Sequence, residues 1–195
     1  PDKFRIDKNE LAEAHKNIDG KLLSALRQAI ANVRKYQTEI FTGKNTHPGV
    51  RYTPLSRVSV CVPGASAPLP STVIISAVPA QVAGVEEIVV ISPPRHNGSI
   101  NPVILAVCHE IGITEVYRVG GAQAVAAMAY GTETIRNVDM IVGPGNMWVT
   151  MAKREVFGKV AIDSIAGPSE VLVIANADAN PAWVTADMLS QAEHA

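Results

Sequence analysis

From Arg57 onward the chain alternates short β-branched runs with helix-length segments, and few folds satisfy that alternation. The runs fall at residues 58–62, 88–91, 115–119, 138–142, 160–162 and 171–174, with helical segments at 71–83, 101–111, 122–130 and 146–156 between them. Each run is long enough for a strand. Each segment between them is long enough to return the chain to the same sheet edge, which a parallel βαβ unit requires. The expected fold class is α/β, a Rossmann-like parallel sheet with flanking helices. Pro79 lies inside the first crossover, where its missing N–H and its ring predict a kink or a split.

Before this pattern, residues 1–45 read as an N-terminal helical segment. A short helix covers 11–18, and Leu22, Leu26, Ala29, Ile30, Val33 and Ile40 trace an apolar stripe through a longer one. Near the other end, Asn180-Pro181 has the form of an N-cap followed by proline at the first helical position. Counting turns from there aligns Val184, Met188, Gln191 and His194, so two polar residues continue an inward-facing apolar row. Buried polar groups need partners, and Gln191 and His194 are expected to converge on a metal, a ligand or a polar network. A histidine in the last helical turn also suits the negative end of the helix dipole, which gives His194 a purely structural reading as well.

Lys and Arg total 17 against 18 Asp and Glu, for a formal charge of −1. With no basic run and no interleaved aromatics, nucleic acid is not the expected partner; a small molecule is. The apolar stretch 73–85 is too short for a bilayer and contains Pro79, so no membrane role is expected. Cys61 and Cys108 form neither a disulfide framework nor a CxxC pair, which agrees with a reducing compartment, and the chain is read as cytoplasmic. Cys108 sits in an apolar helical run as a small buried residue. Cys61 ends a strand before a turn, where it is expected to be more open to a ligand.

Ligands of open parallel sheets bind beyond the carboxyl ends of the strands. There the chain places Pro63-Gly64-Ala65-Ser66, Gly120-Gly121-Ala122-Gln123, Gly143-Pro144-Gly145-Asn146 and Ala166-Gly167-Pro168-Ser169. Glycine lets a backbone approach a ligand and the following helix start offers unpaired N–H groups, so these turns suit phosphates or a ribose. A tight strand-to-helix turn needs the same glycines, and none of the turns is a GxGxxG fingerprint. Gln123 and Asn146 each put an amide at a helix start on this edge, although Asn146 also reads as a simple N-cap.

Six segments, VPGASAPLPSTV (62–73), PAQVAGV (79–85), VGGAQAVAAMAYGTE (119–133), VDMIVGPGN (138–146), AGPSEVLVIA (166–175) and LSQAEH (189–194), together resemble histidinol dehydrogenase. The match is strong over 55–195 and corresponds to about the first half of a family member. This resemblance implies NAD-dependent oxidation of L-histidinol to L-histidine through the aldehyde, the last steps of histidine biosynthesis, with zinc in a homodimer whose sites use both subunits. By position, Gln191 and His194 match zinc ligands that also face the substrate, and Ser169 matches a substrate-binding serine. Gln123 and Asn146 match NAD contacts, and Cys61 stands where the family has a tyrosine that touches NAD. Ala65 and Ile111 also depart from the family pattern, and the 95–100 stretch is longer than usual and reads as a surface loop.

The resemblance divides the chain into N-terminal helices at 1–57, part of an incomplete second domain, a Rossmann-like NAD-binding domain at 58–168, and the start of that second domain at 169–195. The family's catalytic Glu-His pair and its remaining zinc ligands are expected beyond Ala195, so no catalytic residue is assigned here and the chain alone is expected to be inactive. Two other readings remain: a non-catalytic dinucleotide-binding half-domain, and a related dehydrogenase for another small polar alcohol.

Overall fold

Five of the six runs pair as strands of one parallel sheet, in the order β3-β2-β1-β4-β5. They are β1 (Arg57–Cys61), β2 (Glu87–Ile91), β3 (Glu115–Tyr117), β4 (Met140–Val142) and β5 (Ala161–Ile162). The computed structural model describes residues 3–44, 48–64, 68–166 and 170–192. Two compact units emerge, Pro1–Ile165 and Ala166–Ala195, and each is described by itself.

Within the first unit, β1 is the central strand. Val60 pairs in register with Val90 of β2 on one side and Val142 of β4 on the other. Helices α3 (Pro70–Val82) and α4 (Pro102–Glu110) link β1 to β2 and β2 to β3, and Val73, Ile74, Val78 and Ile104 share a core with Val60 and Val90. Helices α5 (Ala122–Tyr130) and α6 (Met147–Val156) follow β3 and β4, and Val125, Met128 and Val149 share a second core with Cys61, Val89 and Ile141. Neighbouring residues of a strand thus enter opposite cores, which is why these strands read as continuous apolar runs rather than alternating ones.

Helices α1 (Lys8–Asn17) and α2 (Gly20–Ile40) start where Asp7 and Asp19 accept from the backbone N–H groups of Asn9 and Leu22. α1 packs on α4 and α2 on α3, with Leu11 and Leu26 entering the first core. Both helices belong to the same compact unit as the sheet. Only the middle of the α2 stripe is covered, and Leu22 and Ile40 are exposed. Ahead of α1, the Ile6 N–H donates to the Val116 carbonyl at 2.8 Å and the Arg118 N–H to the Phe4 carbonyl at 2.7 Å. An antiparallel bridge between Arg5 and Tyr117 covers the outer edge of β3.

Three expectations are corrected. α3 is not split in two at Pro79; Ile75, whose carbonyl loses a donor there, is exposed, so water can replace it. The 171–174 run forms no strand, since no ladder partner lies beside it among the described residues, and Leu172 and Ile174 are exposed. Helix α7 (Pro181–Ala192) begins as expected, with the Asn180 side chain accepting from the Ala182 N–H at 2.9 Å. Its apolar row is not packed inward, however. Val184 and Gln191 are half-buried, Met188 is exposed and no described α7 residue is buried, because so short a unit has too little chain to enclose a helix.

Ion pairs close the amino ends of the strands and the helical layer. The Arg57 guanidinium, buried at the start of β1, pairs at 2.7 Å with Glu87 of β2 and at 2.7 Å with Glu115 of β3. On the helical layer Glu110 accepts from Arg27 Nε at 2.8 Å and lies 2.5 Å from His15 Nε2, joining α4 to α2 and α1. Arg27, then His15, holds the Glu110 carboxyl down at about 2, against an ordinary 4.5. A depressed carboxylate stabilises the fold above its unfolded value and loses that contribution as pH falls through its folded value. Denaturant unfolding from pH 6 down to pH 2 should therefore show a smaller acid-induced loss in Glu110→Gln than in the parent; equal losses would remove Glu110 from the account.

Candidate functional site

β1 lies where the strand order reverses: the chain leaves it outward through β2 and β3, then returns to its other side at β4. Helices consequently lie on opposite faces on the two sides of β1, and a crevice opens beyond its carboxyl end. A cavity of about 280 Å³ occupies this place, lined by Cys61, Gly64, Pro93, Arg95, Gly120, Gly121, Gly145 and Asn146 among others. These residues end or follow β1, β2, β3 and β4, so three of the four predicted turns meet here, joined by the turn after β2. The fourth, at 166–169, lies mostly outside the described residues.

Close backbone packing builds the cavity wall. A Cβ at Gly64 would stand 2.5 Å from Pro93 Cγ, and one at Gly120 would stand 2.8 Å from Pro93 Cβ. The turns after β1 and β3 are thus pressed onto the turn after β2, with Pro93 between them. At Gly143 the demand is double: its φ is +99°, and a Cβ would lie 2.4 Å from the Cys61 carbonyl oxygen.

Each predicted cofactor residue takes a distinct place. Asn146 lines the cavity and is also the N-cap of α6, its Oδ1 accepting from the Val149 N–H at 3.2 Å. The cap and cleft readings therefore coexist, since its amide NH₂ group is not used by the cap. Gln123 is exposed on the first turn of α5, with its side chain against Gly121. The α5 N-cap is Gly121, at φ +77° and with no side chain to offer, so the first amides of α5 are left to solvent or a ligand.

Cys61 lines the cavity, but it is only 5% exposed, and burial pushes its thiol up to about 12. The expectation of an open residue is corrected: its side chain turns into the core with Val89 and Ile141, and the thiol stays protonated at neutral pH. Of the substrate and metal positions, Gln191 lies half-buried in the last turn of α7, within the second unit. Ser169 and His194 lie outside the described residues. Among the described residues no group of three His, Cys, Asp or Glu side chains is placed to hold a metal ion.

Sequence reasoning passed over three charged residues near this edge. Arg95 is a cation among the lining residues, while Lys153 and Asp163 meet beneath the Gly143 turn. One signal was present for Lys153, because Val149, Lys153 and Val156 follow helical spacing and put a charge in an apolar stripe. A larger cavity of about 450 Å³ lies against the other face of β1 and β4, lined by Phe41, Tyr52, Leu55, Ala80 and Val142 among others. Among the described residues it has no charged lining group and no α-helix start. The smaller cleft, with glycine turns and helix starts, is the one suited to a phosphate-bearing ligand.

Comparison with known proteins gives a single family. Its model, described as histidinol dehydrogenase, matches residues 1–195. The histidinol dehydrogenase of Oceanobacillus iheyensis is 50% identical over 98% of this chain and 46% of its own length. That of Rhodopirellula baltica is 52% identical over 99% of this chain and 44% of its own length. A crystal structure of histidinol dehydrogenase from Elizabethkingia anophelis superposes with a TM-score of 0.90 at 43% identity, covering 98% of this chain and 46% of that one. The chain spans about half the length of these relatives.

Gly143→Ala tests the cleft wall. Left-handed strain and the missing space together are expected to lower stability by about 2 kcal/mol or more, read by urea denaturation. An unchanged midpoint would show that this turn has more room than described.

Proposed function

The chain belongs to the histidinol dehydrogenase family, and from that premise we propose that it carries the dinucleotide-binding half of an NAD-dependent, zinc-containing oxidoreductase converting L-histidinol to L-histidine through the aldehyde. The observation that carries the reading is the cleft at the reversal of strand order, where glycine turns and two helix starts face one cavity. These residues fit a dinucleotide: Gly120 and Gly121 leave no side chain between a pyrophosphate and the backbone, and the uncapped start of α5 supplies N–H donors. Gln123 and Asn146 would add amide donors and acceptors beside it.

Bound in this cleft, NAD would supply the hydride acceptor for oxidation at the carbinol carbon. The residues of this chain bind and orient. Cys61 adds a closed, uncharged wall and, being protonated and buried, serves neither as base nor as nucleophile. The hydroxyl proton is assigned to the Glu-His pair expected elsewhere in the complete enzyme. In this reading Ser169, Gln191 and His194 contact substrate, and Gln191 and His194 also hold zinc, for which imidazole nitrogen and amide oxygen are suitable donors. The described residues supply only part of that set, so no step is routed through the metal. Residues 1–57 and 169–195 are assigned to a second domain completed by the rest of the protein, and the full enzyme is read as a cytoplasmic homodimer. No helix among the described residues is long and apolar enough to cross a membrane.

Calorimetric titration of the 195-residue chain with NAD, and with L-histidinol in the presence and absence of zinc, tests the proposal. Saturable NAD binding, zinc-dependent histidinol binding and no production of reduced nicotinamide are the expected results. NAD binding with no response to histidinol would favour a dinucleotide-binding half-domain instead, tighter binding of another polar alcohol would change the substrate, and turnover by this chain would overturn the division of labour.

A further inference from the structure

We propose that Lys153 and Asp163 are positioning residues for the turn that receives the dinucleotide, a role that rests on the reading of the cleft as the cofactor site. Neither residue lines the cavity. Lys153 belongs to the buried stripe of α6, with its side chain 5% exposed, and its Nζ donates to the Gly143 carbonyl at 2.8 Å and pairs with the Asp163 carboxylate. Asp163, just after β5, accepts the Gly143 N–H at 2.8 Å through Oδ2 and the Ser164 N–H at 2.7 Å through Oδ1. The two backbone polar atoms of Gly143 are therefore held by opposite members of one ion pair.

That arrangement answers a specific problem. Gly143 follows β4 at a positive φ, pressed on the Cys61 carbonyl with no space for a side chain of its own. Its N–H and carbonyl point where a helix-side lysine and an aspartate from the next strand can reach them. A buried lysine is costly unless paired and hydrogen-bonded, and here the pairing partner is also the acceptor for the turn. Two and three residues further on stand Gly145 and Asn146, both in the cavity wall. Fixing the orientation at Gly143 fixes the approach of these two to the cleft and the direction in which α6 starts. Asn146 caps α6 from within the helix start, but nothing in that cap anchors the turn to the sheet; the Lys153–Asp163 pair does.

The test compares the parent chain with Lys153→Met/Asp163→Asn, which removes both charges together and leaves neither unpaired. Three readouts are taken: the thermal midpoint, amide hydrogen exchange at Gly143 and Ser164, and the NAD dissociation constant by calorimetry. In a variant that keeps its fold, exchange at both amides is expected to quicken and NAD binding to weaken by about tenfold, the factor that follows from losing one well-placed hydrogen bond. Asp163→Glu alone, which keeps the counter-charge for Lys153 but displaces the carboxylate from the Gly143 N–H by one methylene, is the milder second variant and should shift both readouts in the same direction by less. Faster exchange with unchanged NAD affinity in the folded variants would make the pair a structural tie only and overturn the proposal. Absence of NAD binding by the parent is a different failure, because it removes the cofactor reading itself and the positioning role with it.

Discussion

The buried central strand β1 is the constraint on which the rest of the molecule depends. All five of its residues are buried, and its neighbours on the two sides are reached by connections leading to opposite helical layers. Parallel pairing demands long crossovers, and burial of both faces demands helices on each; once the order reverses at β1, the helices diverge and leave a crevice over its carboxyl end. The glycine contacts at Pro93 and Cys61 are the local consequence, since the turns after β1, β3 and β4 must crowd around that one point.

The two ends of the sheet are built from different chemistry. At the amino ends, Arg57 joins Glu87 and Glu115, and Asp139 accepts from the Ser56 and Arg57 N–H groups at 2.9 and 2.8 Å. These charges are spent on one another, and Arg57 holds the Glu115 carboxyl below the ordinary carboxylate range. At the carboxyl ends the lining is glycine, proline, apolar side chains, the Asn146 amide and Arg95, and the ion pair of buried Lys153 with partly exposed Asp163 is directed onto the Gly143 backbone rather than into the cavity. One end is thereby locked and the other is left with unpaired backbone donors, the combination an anionic ligand requires.

Much of this is legible in the sequence. Alternating β-branched runs located β1 to β5, and all four crossover helices fell within a residue or two of their expected limits, because burial on both faces leaves a continuous apolar signature. The turns at 120–123 and 143–146 are readable because Gly121 and Gly143 take a positive φ, and the turn at 62–64 because Gly64 lies against Pro93 with no room for a Cβ. What escaped were contacts between residues distant in sequence. Residues 4–6 carry no strand pattern of their own and join β3 only because its edge is free. Asp163 looks like an ordinary loop acid until β5 places it beside Gly143. Cys61 sits at the mouth of the crevice by position but turns into the core by side-chain direction, which follows from the strand's alternation once the faces are known. The 171–174 run has the composition of a strand but no strand partner among the described residues, and composition alone does not supply one.

The central claim is that the cleft over β1 receives the dinucleotide, and backbone chemical-shift mapping of the isotopically labelled chain during an NAD titration tests it most directly. The account predicts saturable shifts concentrated at Gly64, Gly120, Gly121, Gly145 and Asn146, with the amino-end cluster around Arg57 undisturbed. Shifts confined to the larger cavity around Phe41, Tyr52 and Ala80, or spread evenly without saturation, would contradict it.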